Sequence, residues 1–274
     1  MIIKFWRASL FLLLLAIPAH PFSQSITLIS WNIQDCGQTK SDEEILAIAK
    51  IISNADIVAI QEVVAKHPGG AQSIGRLGDA LNRMGAKWDY RISDPTDSPS
   101  PYKSERYAFL WKTSSVELSG RPFLDSVLAP YCDREPFIGR FKERKSGKPF
   151  VLVNFHSRRF DEHPEEEVKH FASYPNRFEP PVIIAGDFNM NEENKVFTSL
   201  YALGYQPAVK NQKTTLKREC NNGEYRANAI DNIYIPKRVV LHEGRVVDFL
   251  GTCAQLEAAR QISDHLPVLA VISF

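Results

Sequence analysis

Hydrophobic and polar positions alternate in short runs along most of this chain. Residues 26–31 switch sides at every position and are β-prone, which predicts a strand. Ser41 followed three positions later by Glu44 reads as a capping box, opening a helix whose apolar positions are Ile45, Ile48, Ala49 and Ile52. Residues 56–61 form a short apolar strand. Leu77, Leu81 and Met84 give a second helical face, which Gly85 closes. Residues 94–101 hold three prolines and must be a loop. From there the chain turns strand-rich, with short β-prone runs at 106–112, 136–141, 150–156 and 182–185. Residues 191–203 look helical, 229–235 and 245–249 extended, and 268–274 close the chain as a strand. Many short strands with a few helices point to two packed sheets covered by helices, in one domain.

Polar residues recur where these apolar runs end. Asn32 ends the first strand and Glu62 the second. His156 closes the run that starts at Phe150. Asp187 and Asn189 follow Val182-Ile183-Ile184-Ala185-Gly186, and Asp264 and His265 precede the last strand. One aspartate after a strand is usually a turn or cap residue, and one histidine usually a packing residue. Their repetition at strand ends is what would converge them on one rim. The kit suits phosphodiester hydrolysis. Asn32, Glu62 and Asp264 offer the hard oxygens that Mg²⁺ or Ca²⁺ prefer. A histidine held by a carboxylate moves protons near neutral pH, and Asp187 with Asn189 can orient a water and hold a phosphate oxygen.

The first 25 residues differ from the rest. Lys4 and Arg7 precede an apolar run at 8–17, and small and turn-forming residues follow, the pattern of an export signal too short to serve as a bilayer span. The expected layout is therefore a signal at 1–25 and one domain at 26–274, secreted or periplasmic and without a stable membrane anchor. Of the 274 residues, 44% are hydrophobic and 24% charged, ordinary for a globular chain. Without Lys4 and Arg7, 31 basic residues face 32 acidic ones, a net charge of −1. That balance argues against tight, sequence-specific binding of nucleic acid. Cys36, Cys132, Cys220 and Cys253 lack zinc-ligand spacing, and their three possible pairings are not distinguished by the sequence.

Four blocks, Ser30-Trp31-Asn32-Ile33, Ile60-Gln61-Glu62-Val63, Gly186-Asp187-Phe188-Asn189 and Ser263-Asp264-His265-Leu266-Pro267, resemble in order the signature blocks of the endonuclease/exonuclease/phosphatase superfamily. The resemblance implies an α+β fold, a four-layer αββα sandwich of two mainly antiparallel sheets flanked by helices, with its active site at one end of the sheets. Gly37-Gln38-Thr39-Lys40, Tyr102-Lys103-Ser104-Glu105-Arg106-Tyr107 and Arg134-Glu135-Pro136 bring the chain nearest to secreted deoxyribonuclease I. The implied activity is metal-dependent endonucleolytic cleavage of DNA, and of RNA as a further substrate, with Mg²⁺, Mn²⁺ or Ca²⁺ as cofactor, by a monomer that holds nucleic acid weakly and without strong sequence preference. By the same resemblance Glu105 supports His156, Asp231 supports His265, Arg134 contacts a phosphate and Tyr102 stacks on a sugar. Gln34 and Val64 stand where the deoxyribonuclease pattern has arginines, one extra residue separates Tyr102 from Glu105, and the pattern's paired cysteines have no counterparts.

Two other readings use the same blocks. Sphingomyelinases and inositol-phosphate phosphatases share the metal and histidine motifs, so the substrate can instead be a lipid or small phosphoester. A catalytically dead binding module would be expected to have lost a histidine or the metal glutamate, and this chain retains them all.

Overall fold

The computed structural model of the protein describes residues 25–274, so the export signal expected at 1–25 lies, but for Ser25, outside the described residues. In chain order the first half contains β1 (Ile26–Cys36), α1 (Asp42–Ile52), β2 (Ile57–Val64), α2 (Gly69–Arg83), β3 (Trp88–Ile92), β4 (Glu105–Lys112), β5 (Val116–Leu118), β6 (Phe123–Leu124) and β7 (Phe137–Glu143). The second half adds β8 (Pro149–His156), α3 (Glu165–Val168), α4 (Tyr174–Arg177), β9 (Val182–Asp187), α5 (Thr198–Ala202) and β10 (Tyr205–Pro207). Then come β11 (Leu216–Asn221), β12 (Glu224–Arg226), β13 (Asp231–Pro236), β14 (Val240–Val246), α6 (Leu256–Ile262) and β15 (Val268–Ser273).

Two large sheets result. One has the order β14-β15-β1-β2-β4-β3, the other β10-β13-β9-β8-β7-β5 with β6 also on β7. Each is antiparallel except at its centre, where β1 runs parallel to β2 and β8 to β9. Period-2 alternation divides the core into three layers. Leu28, Ile57, Phe109, Leu152, Ile183 and Ile233 fill the space between the sheets. The opposite faces of β1, β2 and β4 bury Trp31, Ile60 and Leu110 against Ile48 of α1 and Leu77 of α2. Val153, Ile184 and Tyr234 of the second sheet pack on Phe171, Tyr174 and Leu200. Three apolar layers between four layers of structure, two of sheet and two of helix, make the expected αββα sandwich.

The capping box forms as the sequence predicts: Ser41 accepts from the Glu44 amide and Glu44 from the Ser41 amide. Such a cap contributes about 1 kcal/mol. Helix α2 differs from its prediction. It starts at Gly69, and Met84 lies past its end with 38% of its surface exposed, so the buried face is Ile74, Leu77 and Leu81. Its glycines hid it, and one of them is required. A side chain on Gly70 would place its first carbon 1.9 Å from the Val64 carbonyl oxygen, so only glycine lets α2 sit this close to β2. The helical pattern at 191–203 is delivered as a 3₁₀ turn at Lys195–Phe197 and the short α5. The extended segment expected at 245–249 is the end of β14, which stops at Val246.

Candidate active site

The inward-facing series of each central strand changes from apolar to polar at the same end. On β1 it runs Ile26, Leu28, Ser30, Asn32; on β8, Phe150, Leu152, Asn154, His156; on β9, Ile183, Ala185, Asp187. Strand β13 runs the other way, so its series starts with Asp231. Below the charged groups lies a polar belt between the sheets: Gln61 Nε2 donates to Asn154 Oδ1 at 2.6 Å and to Ser30 Oγ at 3.2 Å, and Asn154 Nδ2 donates to the Ile60 carbonyl at 2.9 Å. All three side chains are buried. The belt closes the apolar layer and fixes the distance between the sheets just beneath the site.

Glu62 reaches the site through a backbone irregularity. Plain alternation would turn it toward α1 and α2, the side that Val58 and Ile60 face. Between the pairs Ile60–Ala108 and Val63–Arg106, however, β2 carries one residue more than β4. Glu62 occupies this bulge at φ 59°. Bulges re-aim side chains in this way, and a left-handed non-glycine residue costs on the order of 1–3 kcal/mol. Glu62 Oε1 accepts from Asn32 Nδ2 at 2.9 Å, and Asn32 Nδ2 also reaches Asp187 Oδ2 at 3.2 Å, joining the two sheets. The other amide atom, Asn32 Oδ1, is buried without a hydrogen-bond partner. Buried polar atoms are nearly always satisfied, so an orphan oxygen beside a carboxylate fits a cation-binding position. Asp264, half-buried, stands with its Oδ1 3.9 Å from His265 Nε2.

Two histidine–carboxylate pairs flank Asp187. His156 Nδ1 is 2.9 Å from Glu105 Oε2, and His265 Nδ1 is 2.9 Å from Asp231 Oδ2. Their Nε2 atoms lie 3.6 and 3.8 Å from Asp187 Oδ2. Asp187 Oδ1 accepts the Asn189 amide at 2.9 Å, in a turn that holds Asn189 at φ 50°. Gly186 is required here, because a side chain would meet the Phe155 carbonyl oxygen at 1.9 Å. Burial alone would lower His265, but Asp231 and Asp187 outweigh it and raise its pKa; burial in turn raises Asp231. Burial and Arg134 both act to lower His156, and Glu105 more than offsets them. Burial would raise Glu105, yet His156 and Arg134 leave it below the usual carboxylate range. Asp187, Asp231 and His265 also bring possible metal-donor atoms within 4.8 Å of one another. His265 Nδ1 is already bonded to Asp231, so this trio is better suited to holding a proton than an ion.

Arg134 and Tyr102 differ in placement, one buried behind the site and the other exposed at its rim. Arg134 is buried: Nε donates to the His156 carbonyl at 3.0 Å, Nη2 donates to the Ser157 carbonyl, and Nε lies 3.7 Å from Glu105 Oε2. It braces the Glu105–His156 pair from below and presents only an edge to the cleft. Tyr102 stands at the rim with 91% of its surface exposed, and Lys66 Nζ lies 3.8 Å from its ring centre. Glu62, Lys66, Tyr102, Glu105, Arg134 and His156 line a cleft of about 320 Å³.

Several contributors gave no readable signal. Thr214 Oγ1 donates to Asp231 Oδ2 at 2.6 Å and accepts the Asp231 amide at 3.1 Å. Ser263 Oγ donates to the Asn32 carbonyl at 2.7 Å and accepts the His265 amide at 3.0 Å. Tyr107 accepts the His156 amide through its hydroxyl at 3.2 Å. Ser263 sits inside a motif block and Tyr107 ends the 102–107 stretch, but neither was singled out by its pattern. Residues 214–216 are held beside 264–266 by backbone bonds, and the β11–β12 hairpin that follows is tied by a Cys220–Cys253 disulfide to the segment before α6. Cys36 and Cys132 are free and buried.

A two-sheet sandwich with two histidine–carboxylate pairs around one aspartate at the strand ends defines a phosphoester-hydrolase scaffold. The chain belongs to the Endonuclease/Exonuclease/phosphatase family, whose pattern matches residues 29–265, and its activity is of the nuclease or phosphatase kind that this family carries. A protein of Thioalkalivibrio sp. (strain K90mix) described as "Deoxyribonuclease" is 30% identical over 277 residues, spanning 94% of this chain and 73% of the relative. Among solved structures, an endonuclease/exonuclease/phosphatase from Bacteroides vulgatus superposes with a TM-score of 0.67 at 17% identity, over 92% of this chain and 99% of that one. The Bacteroides thetaiotaomicron mannosyl-6-phosphatase Bt3783 does so with a TM-score of 0.62 at 16% identity, over 91% and 100%. These two likenesses speak to the fold.

Proposed function

We propose that this protein is an exported, divalent-metal-dependent phosphodiesterase that cuts the backbone of nucleic acid, with DNA as its main substrate. The observation that carries this reading is the convergence of His156–Glu105 and His265–Asp231 on Asp187, beside Glu62 and the unpartnered Asn32 Oδ1. The choice of nucleic acid is supported by the 30% identical relative described as a deoxyribonuclease. The Cys220–Cys253 disulfide supports export, because such bonds persist in oxidising compartments. Among the described residues no helix is long and apolar enough to cross a membrane.

In this reading Asn32, Glu62 and Asp264 hold a hard cation, Mg²⁺ or Mn²⁺ being the best suited, which supplies charge stabilisation at the phosphate oxygens. Asp187, with Asn189 beside it, orients the attacking water and draws its proton. Asp187 is buried at 1% exposure with two imidazoles near its oxygen, so its charge is directed rather than solvated. His265 holds its proton through Asp231 and can donate a hydrogen bond from Nε2 to a non-bridging oxygen. His156, oriented by Glu105, presents Nε2 to the same phosphate. Neither ring can rotate without breaking its Nδ1 contact.

The test is one purified preparation assayed on plasmid DNA, RNA, bis(p-nitrophenyl) phosphate and sphingomyelin, with and without chelator. DNA cleavage that stops in chelator and returns with Mg²⁺ or Mn²⁺ is expected. Glu62→Ala should abolish it while the melting profile persists. Full activity in excess chelator, or cleavage of sphingomyelin in preference to DNA, would overturn the reading.

A further inference from the structure

We propose that Tyr102 and Phe160 form a stacking pad for unpaired bases next to the cut phosphate, so that single-stranded or frayed nucleic acid is preferred over closed duplex; this rests on the nuclease reading above. Tyr102 and Phe160 are 91% and 72% exposed, the two most exposed large hydrophobic side chains among the described residues. Both stand on loops at the catalytic end. Tyr102 lies in the β3–β4 loop of the first sheet and lines the cleft together with Glu62 and His156. Phe160 lies in the turn that follows His156 at the end of β8 in the second sheet.

The two loops are joined. Lys103, next to Tyr102, reaches Asp133 Oδ2 at 2.8 Å and Glu162 Oε1 at 3.0 Å, and Glu162 is two residues from Phe160. One lysine thus ties both aromatic loops across the gap between the sheets and holds the rings at a fixed rim. Lys66 covers part of the Tyr102 ring at 3.8 Å and brings a cation to the same spot. A cation over one face of the ring leaves the other face for a base, and aromatic rings with cations nearby are the means by which single strands are held: bases stack and the backbone is neutralised.

Charge favours bases over phosphates as the handle. Closed duplex hides its base faces and offers two rows of phosphate, which are gripped by rows of arginine and lysine. Here Gln34 and Val64 are uncharged, Arg134 is buried and committed to carbonyls, and Lys103 is spent on two carboxylates. Lipid insertion would require a continuous apolar patch. Instead Arg159, Asp161 and Glu162 surround Phe160, and Lys66 and Lys103 flank Tyr102.

The test uses the metal-loaded protein and one labelled oligonucleotide in three forms: single strand, blunt duplex, and duplex with an unpaired tail. Wild type, Tyr102→Ala, Tyr102→Phe and Phe160→Ala are compared on each, with phosphatidylcholine and phosphatidylglycerol vesicles as a separate binding arm. Wild type should favour the single strand, and each alanine variant should lose roughly 10-fold in kcat/KM on it. The loss should fall on KM rather than kcat, and Tyr102→Phe should restore most of it. If duplex is cut as well as single strand and the alanine variants match wild type, the pad is overturned and the nuclease reading stands. Vesicle binding that is lost in the variants while single-strand cleavage is kept makes the rim a membrane contact instead. Failure of wild type to cut any nucleic acid removes the nuclease reading and the pad with it.

Discussion

The two halves of the site have the same geometry but are built from different chemistry. Each pairs a histidine on one sheet with a carboxylate on the other: His156 ends β8 while Glu105 begins β4, and His265 precedes β15 while Asp231 begins β13. In each, Nδ1 to carboxylate is 2.9 Å. What stands behind the carboxylate differs. Arg134, a buried cation, backs Glu105, and a neutral hydroxyl, Thr214, backs Asp231. The cation pulls Glu105 down and opposes protonation of His156, whereas burial without a second cation lifts Asp231, and Asp231 with Asp187 raises His265. Symmetric placement therefore yields two imidazoles, both raised above the ordinary histidine pKa, held so by different surroundings around one aspartate. The difference lies in Arg134 and Thr214, which stand behind the two carboxylates.

The comparison is broken most severely at the histidines themselves. His156→Ala and His265→Ala should each lower kcat by at least ~10² if both act at the same phosphate, and the double variant should fall far short of the product. Single-turnover rates for the three variants decide this, and wild-type turnover in either single variant would remove that half from the mechanism. Next comes the cation. Arg134→Met leaves Glu105 buried with only His156 as charge partner, leaves the His156 and Ser157 carbonyls unpaired, and should cost about 3–5 kcal/mol of stability by denaturant unfolding. Cys220→Ser acts on the other half only. It should cost about 2–4 kcal/mol, with faster amide exchange in the β11–β12 hairpin and none of that change near His156. The smallest effect is expected for Thr214→Val, which keeps shape but removes one donor from Asp231, at about 1–3 kcal/mol. If Arg134→Met and Thr214→Val prove equally mild, the distinction between a charged and a neutral backing is wrong.

The fold and the strand-end groups were legible because both follow from one local rule. Alternation along β1, β8 and β9 assigns a face to every residue, and the first polar residue on the inner face marks where the apolar layer ends. Glu105 and Asp231 needed the motif resemblance, since each begins its strand and looks like an ordinary capping carboxylate. Thr214 was out of reach: the hairpin that follows brings it beside 228 and 231, but nothing in the sequence marks its hydroxyl as the partner of Asp231. Arg134 was given a phosphate contact by the resemblance; its burial rests on Glu105 and on the His156 and Ser157 carbonyls, which the sequence does not bring to it. The β11–β12 hairpin did carry a signal, Asn222-Gly223 at φ 52° and 80°, and that dipeptide predicts a tight turn.

The bulge at Glu62 sets a rule for how this chain can drift. Glu62 faces the site because β2 has one residue more than the neighbouring β4 requires. Losing one residue between Ile60 and Val63 would restore perfect pairing, yet it would either remove the carboxylate or put it in the inter-sheet place of Gln61. Most exchanges of one letter for another in this stretch alter volume or polarity and leave the aim intact. The inherited quantity here is a count, and a lineage that keeps the activity keeps the length of this strand.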